Sequence, residues 1–318
     1  MLVLLTLGVL AASPHGEPDF PGLPIYAPQD PLEANRSVLF SAPLLMPTDT
    51  WGTITTFDYA NAIEAYSDGR RSVLLDAELA RLQFLLSRRL DDRWFAFGQV
   101  TIQGAYDGFM DRFINWYHKV LGVNYYSRNL RPINRYAYEI TYGQGKTLRY
   151  GPVDLGLGDS RLGVGRMLGK HAQLILVFGL PTSTAPGFRA GTLQTGLILT
   201  GEFPFSSWLM VAGSVGIGFT PRTGTLAQFE NVVFASFSGG VRVKLSWRNF
   251  LYGNLFVQTP LYHGTGLHPM DLTDFSADFG WIFRIQRGTE LWIGLGEDPY
   301  PDGPALDVTL RFGLRTGF

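Results

Sequence analysis

Histidine is the side chain most often used as a base near neutral pH, and this 318-residue chain has five: His15, His118, His171, His263 and His268. Hydrolysis through a serine needs a base beside the hydroxyl and a third group that orients the base. None of the five stands in a sequence that supplies all three roles, so no catalytic residue is assigned. His263, His268, Asp271 and Asp274 share one short stretch and offer ligands to a cation, but their spacing matches no ligand pattern. Gly156-Leu157-Gly158-Asp159 is a glycine-rich turn rather than a phosphate loop, because no Gly-Lys-Ser/Thr follows it. The chain has no cysteine, which removes thiolate metal sites, disulfides and cysteine nucleophiles. The expectation is a non-enzyme with no cofactor and no metal. A net charge of −1 offers no basic surface for nucleic acid.

The remaining chemistry is that of ionised side chains along a passage. Asp76, Glu78, Glu202, Arg242, Lys244, Asp278, Arg284, Glu290, Asp307, Arg311 and Arg315 each fall on the polar side of an alternating segment, which makes them lumen-facing candidates. Two readings stay open. The set lines a charged, water-filled pore, or it packs a closed lumen with salt bridges, which the mixed signs would suit.

Such a set needs many strands to carry it. Aromatics at 14% and 38 glycines, with modest charge, suit strands better than a helical globule. After Thr50 the sequence alternates with period two to its end. In the last segment Leu306, Val308, Leu310, Phe312, Leu314, Thr316 and Phe318 share one face. A length of about a dozen residues is nearer a tilted membrane-spanning strand than a globular strand of about five or six. We count about twelve such segments: 50–61, 72–87, 92–103, 154–169, 171–182, 192–203, 207–219, 231–247, 249–260, 273–285, 288–297 and 304–317. Connections after even-numbered segments are tight, such as Gly169-Lys170 and Gln286-Arg287-Gly288. Those after odd-numbered segments are mostly longer and carry Pro, Gly and Asp. Short turns at one end and long loops at the other are the layout of outer-membrane barrels. An even strand number puts both chain ends on the short-turn, periplasmic side. Trp51, Trp94, Trp208, Trp247 and Trp292 lie near segment ends, as interfacial girdles require.

The expected fold class is therefore all-β: a single antiparallel transmembrane β-barrel of about 12 strands with a helix-containing extracellular insertion. Residues 1–13 read as a signal peptide, an apolar run stopped by Pro14, Gly16 and Pro18, although its first residues lack Lys or Arg. Residues 14–49 read as an irregular periplasmic segment, and 50–318 as the barrel. No later apolar run is long enough for a transmembrane helix. The insertion spans 104–153. Within it, residues 108–122 show helical spacing, with Phe109, Phe113, Trp116, Tyr117 and Val120 apolar, Asp111, Arg112, Asn115, His118 and Lys119 polar, and Gly122 as a C-terminal cap. This helix either folds into the barrel mouth or rests its aromatic face on the outer leaflet. Phe109, Asp111, Arg112, Phe113, Trp116 and His118 are its gating or insertion candidates. Arg128, Arg131, Arg135, Lys146 and Arg149 follow, either a solvated loop or a basic cluster for lipopolysaccharide phosphates.

Several short motifs resemble one family. Pro31-Leu32-Glu33-Ala34-Asn35-Arg36-Ser37, Asp58-Tyr59-Ala60-Asn61-Ala62-Ile63, Gly108-Phe109-Met110-Asp111-Arg112-Phe113, His118 and Gly122 look like domain-of-unknown-function family 3187. The resemblance implies an exported outer-membrane barrel and assigns no activity. Phe318, closing a strand behind Leu310, Phe312 and Leu314, resembles the signal read by the barrel-assembly machinery. The expected partners are that machinery and outer-membrane lipid with lipopolysaccharide, and the expected location is the bacterial outer membrane. The leading functional expectation is a channel or transporter for small or amphiphilic solutes, gated by the N-terminal segment or the insertion. A structural or surface-binding barrel with a closed lumen is the second reading, and a lipid-modifying enzyme the third. An open lumen would favour passage; one filled by side chains and residues 14–47 would favour a closed barrel.

Overall fold

The structure, a computed structural model, describes residues 20–122, 132–143, 145–299 and 306–318. The leader at 1–13, residues 14–19, and Arg128 and Arg131 of the basic cluster lie outside the described residues.

The described strands are β1 Trp51–Ser67, β2 Ser72–Arg89, β3 Trp94–Tyr106, β4 Ala137–Tyr142, β5 Lys146–Arg149, β6 Val153–Leu157, β7 Ser160–Met167, β8 Ala172–Leu180, β9 Gln194–Pro204, β10 Leu209–Phe219, β11 Val233–Lys244, β12 Asn249–Gln258, β13 Asp274–Gln286, β14 Thr289–Glu297 and β15 Val308–Gly317. Two α-helices accompany them, α1 Pro31–Ala34 and α2 Asp111–Leu121. Neighbouring strands pair antiparallel all the way round, and β1 meets both β2 and β15, so the sheet closes on itself. With β6 and β7 forming one broken stave, and β4 and β5 standing outside the ring, this is a closed twelve-strand antiparallel barrel. Closure leaves no unpaired edge among the twelve described staves, which is what lets strands cross a bilayer. At the chain's end, Phe318 and Trp51 exchange backbone N–H···O bonds of 3.0 and 2.9 Å.

Every expected segment is a stave, with two changes of detail. The 154–169 segment breaks at Gly158-Asp159, and β6 shifts register on β3 between Gln103 and Ala105. β1 runs on to Ser67. Polar Asn61 and Glu64 interrupt its apolar alternation, but the backbone ladder to β2 does not need apolar side chains and continues to Ser67↔Ser72.

The outer wall is apolar. Phe57, Phe84, Val100, Leu197, Ile217, Phe237 and Phe312 all stand exposed on it. Trp94, Trp208 and Trp247 are exposed at the short-turn end, with Trp51 half-buried beside them. Arg88, Arg166 and Arg248 lie over Trp51, Trp94 and Trp247 at 5.0, 5.4 and 4.4 Å, a belt of rings and cations suited to an interface. Trp292 is not part of that belt. It points inward, is buried, and lies over Gly313, where any Cβ would meet the indole at 2.0 Å.

The N-terminal segment does not lie outside the barrel. Residues 20–47 fill the lumen as a hairpin. It starts at the short-turn end, where Phe20 packs 6.0 Å from Phe250. It climbs past Tyr26, beside Phe256, to α1 at the long-loop end. There Arg36 bonds to the carbonyl of Thr220 at 3.0 Å. The chain then returns to Pro47, whose carbonyl accepts from Arg89 at 3.2 Å. The two limbs touch at a single bridge, Tyr26 to Ser41. The physical reason is composition: Leu23, Ile25, Ala27, Leu32, Val38, Leu39 and Phe40 are apolar and need burial, and the lumen supplies it.

The insertion holds α2 as expected, closed by Gly122 in the left-handed region at φ 72°. It also holds a hairpin, β4–β5, which extends the wall upward by pairing with Ser72–Asp76 of β2. That hairpin was not expected, because four-residue β5 is too short to show periodicity.

Candidate functional site

Six prolines, Pro21, Pro24, Pro28, Pro31, Pro43 and Pro47, leave the lumen hairpin poor in backbone donors and rich in carbonyls. Buried carbonyls need partners, and the wall supplies them. Arg81 of β2 donates to the Pro28 and Ala27 carbonyls at 2.7 and 2.9 Å. Arg161 of β7 reaches the Ser37 carbonyl at 3.2 Å, and Arg315 of β15 the Leu23 carbonyl at 3.4 Å. Arg242 of β11 donates to the Pro21 carbonyl. Gln173 of β8 donates to the Pro43 carbonyl at 2.6 Å and accepts from the Leu45 N–H at 2.9 Å.

Two of these arginines, Arg81 and Arg242, also pair with wall acids, in a network that takes in Arg311 and Arg284. Asp58 accepts from Arg81 at 2.9 Å and from Arg311 at 2.7 Å, and Arg311 also reaches Asp278 at 2.8 Å. Tyr252 donates to Asp278 at 3.1 Å. Arg242 pairs with Glu202 at 2.8 Å, and Arg284 lies 3.7 Å from Glu290. Of the lumen-facing candidates, Glu202, Arg242, Asp278, Arg284, Glu290 and Arg311 are therefore buried on the inner face, with Arg315 and Lys244 half-buried toward the short-turn end. Asp58 and Arg81, central to the network, were missed. Their alternation with Phe57 and Leu82 was the available signal.

Three candidates are not in the lumen. Asp76 and Glu78 face outward, opposite Ile63 and Asn61 of β1, while Val73, Leu75, Ala77 and Leu79 face in. The inner face of upper β2 is apolar where the hairpin packs, and the insertion covers the outside. Glu78 accepts from the Tyr59 hydroxyl and the Met110 N–H. Asp307, just ahead of β15, turns to α2, where its Oδ1 lies 3.3 Å from His118 Nε2.

At the long-loop end a cavity of about 570 Å³ opens. Asn35 and Arg36, at the turn of the hairpin, contribute to its lining together with Tyr138, Tyr150, Arg189, Glu230 and Tyr262. Arg36 pairs with Glu230 at 2.7 Å. Burial lowers the Arg36 pKa, and the Glu230 charge opposes that fall. Below the turn, Asp30 accepts from the Leu32 N–H at 2.7 Å. Burial pushes its carboxyl up to about 8; the Leu32 bond pulls the other way, and Asp274 adds to the rise.

Outside the barrel, α2 docks on the wall. Met110 and Ile114 pack with Val308, Tyr59, Leu295 and Leu310. Asp111 accepts from Asn61 at 3.1 Å. Of the helix candidates, Asp111 and His118 are buried, while Phe109, Arg112, Phe113 and Trp116 are exposed. The helix is thus not in the mouth. His118, Glu297 and Asp307 place one nitrogen and two oxygens within 4.8 Å of one another, enough to offer a divalent cation three ligands. The 263–274 stretch does not converge. His263 and His268 are exposed, Asp271 holds the Thr265 and Gly266 N–H groups, and Asp274 accepts from Ser276 in the lumen. The basic cluster is partly seen: Arg135, Lys146 and Arg149 are exposed, and Arg149 lies 3.2 Å from Glu139.

Among solved structures, the chain is similar to the monoaromatic hydrocarbon channel CymD, with 10% identity over 85% of this chain and 89% of that one, at a TM-score of 0.42. It is similar to the porin NanC, with 6% identity over 84% and 100% of the two chains and a TM-score of 0.45. It is also similar to the Pseudomonas putida toluene transporter TodX, with 7% identity over 85% and 88% and a TM-score of 0.39. At such distances the likeness says nothing of what this chain carries. No curated protein matches it. One family of proteins of unknown function, DUF3187, matches residues 1–318 throughout, and the chain belongs to that family.

Proposed function

We propose that this chain is an outer-membrane channel for small or amphiphilic solutes, held shut at rest by its own N-terminal hairpin. The observation that carries this reading is the hairpin's attachment. It is a separate segment rather than wall, and most of its polar contacts are side chains reaching its backbone. Its turn helps to line the mouth cavity, so a solute entering there touches the plug. Tyrosines and the exposed Arg189 suit a ligand with an apolar body and a polar or anionic group. Passage then requires the hairpin to shift.

The test is single-channel recording in planar bilayers. The full chain should conduct rarely, and a variant lacking 20–46 should conduct steadily. Because deletion can impair folding, a second variant keeps the hairpin. The chain has no cysteine, and Ser41 touches Asn254 at 3.2 Å. A Ser41→Cys/Asn254→Cys pair should silence the channel when oxidised and restore openings when reduced. Silence in all three favours the second reading, a closed structural barrel, for which the dense filling of the lumen speaks.

A further inference from the structure

The exposed side of α2 is only partly polar. At ~100° per residue its side chains, with those just ahead of it, divide into three stripes, roughly a third of a turn apart. Met110, Ile114, Tyr117 and His118 face the barrel, and all but half-buried Tyr117 are buried. Phe109, Phe113, Trp116 and Val120 form the second stripe, exposed at 70%, 47%, 60% and 64%. Arg112, Asn115 and Lys119 form the third, also exposed. A helix lying against a wall in water would keep only one apolar face. This one has two, on different sides.

Contacts with β1 give the direction of the second stripe. β1 climbs from the short-turn end at Trp51 toward the long loops. Phe109 stacks on Tyr59, with ring centroids 5.6 Å apart, while Asp111 meets Asn61, two residues higher. The apolar stripe therefore lies on the lower side of the helix, toward the middle of the barrel, and the polar stripe on the upper side. Height agrees. Eight residues separate Trp51 from Tyr59; at ~3.3 Å each and a tilt of ~40° they climb about 20 Å, near the top of the ~25 Å apolar band of such barrels. The stripe is continuous with that band, since Phe57 and Phe312, exposed on the outer wall, sit below Tyr59 and Leu310.

We propose that α2 is an in-plane membrane helix. Its Phe109–Phe113–Trp116–Val120 stripe is buried among the acyl chains of the leaflet on the long-loop side, and Arg112 and Lys119 lie in the phosphate layer above. The occupant of the stripe is lipid, because the stripe extends a surface that is already lipid-facing and its cationic neighbour matches an anionic headgroup layer. The barrel-facing stripe, with Asn61–Asp111 and His118–Asp307, fixes the roll of the helix.

The cysteine-free chain makes the test clean. Trp116→Cys, Lys119→Cys and, as a control on the β5 hairpin, Lys146→Cys are each labelled with an environment-sensitive fluorophore. The proteins are reconstituted in phosphatidylcholine and phosphatidylglycerol vesicles carrying doxyl-labelled lipid. All three positions are exposed, so the barrel should fold unchanged, which heat-modifiable migration on a gel verifies. The label at 116 should emit blue-shifted and be quenched best by mid-chain doxyl. The label at 119 should be quenched best by headgroup doxyl, and that at 146 by neither. Emission at 116 matching that at 146 overturns the proposal. So does a blue shift at 116 that fades as protein is diluted in lipid, which would assign the stripe to a second copy of the chain.

Discussion

The guanidinium of Arg36, carried on the N-terminal hairpin, stands 2.7 Å from the carboxylate of Glu230 in the loop between β10 and β11. Arg36 also donates to the Thr220, Asn231 and Pro221 carbonyls at 3.0, 3.3 and 3.3 Å. The side chain is a clasp between plug and mouth. Arg36→Ala should release the turn, because it takes from the buried Glu230 carboxylate its ion partner, leaving it the Thr223 N–H at 2.7 Å, and takes a donor from three carbonyls, at a cost of up to about 3 kcal/mol. Glu230→Gln should cost less, since the carbonyls remain. The readout is protease sensitivity of residues 20–47 together with channel openings. Both should rise in the order wild type, Glu230→Gln, Arg36→Ala. An Arg36→Ala protein as quiet and as resistant as wild type would remove the clasp.

Asp30 makes plug docking depend on pH. Its carboxyl has an ordinary value of 3.8 and is pushed up to about 8 in the docked hairpin, by burial first and then by Asp274. The docked state thus binds a proton that an undocked hairpin releases. Docking is favoured below pH ~4 and loses ground by up to ~1.4 kcal/mol per pH unit until about pH 8, above which the full cost is present. Openings should be more frequent at pH 8.5 than at pH 5. Asp30→Asn should weaken this dependence, because it removes the proton that docking takes up. Openings that grow rarer as pH rises would contradict the sign.

The barrel was legible in the sequence because period-two alternation and loop length are local signals. Phe57 against Asp58 and Phe312 against Arg311 already separate the two faces. The plug was legible only as one of several open readings, beside a periplasmic segment. Residues 20–47 carry no period, and their fate is decided by space inside a closed sheet, a property of the whole ring. The same cause misplaced Asp76 and Glu78. Alternation tells which residues share a face, not which face is inside, and β2 carries apolar residues inward wherever the hairpin packs against them. Asp307 failed for another reason: it lies just outside its strand, where parity no longer binds.

Tyr252 rests its ring in a space that only glycine leaves. A Cβ at Gly294 would meet the Tyr252 oxygen at 1.9 Å, and one at Gly280 would meet the ring at 2.8 Å as well as the backbone of β14. The hydroxyl donates to Asp278 from that seat. Gly294→Val should displace the ring and strip Asp278 of a donor, lowering the barrel's melting temperature. Tyr252→Phe removes the hydroxyl while keeping the ring and should cost about 1 kcal/mol, clearly less than Gly294→Val. Equal losses would show that the seat itself does not matter.

Arg311 is the most consequential residue of the lumen network. It bridges Asp58 at 2.7 Å and Asp278 at 2.8 Å, with both acids almost wholly buried. Asp58 keeps a second partner in Arg81, whereas the only described ion pair of Asp278 is with Arg311. Arg311→Met should therefore destabilise the barrel by about 3–5 kcal/mol, chiefly by stranding the Asp278 charge. Adding Asp278→Asn removes that charge and should return part of the loss, whereas Asp278→Asn alone should destabilise. The two losses should thus be far from additive in a double-mutant cycle read by urea-induced unfolding in detergent. Additive losses would mean that the two side chains act independently and that the bridge contributes nothing of its own.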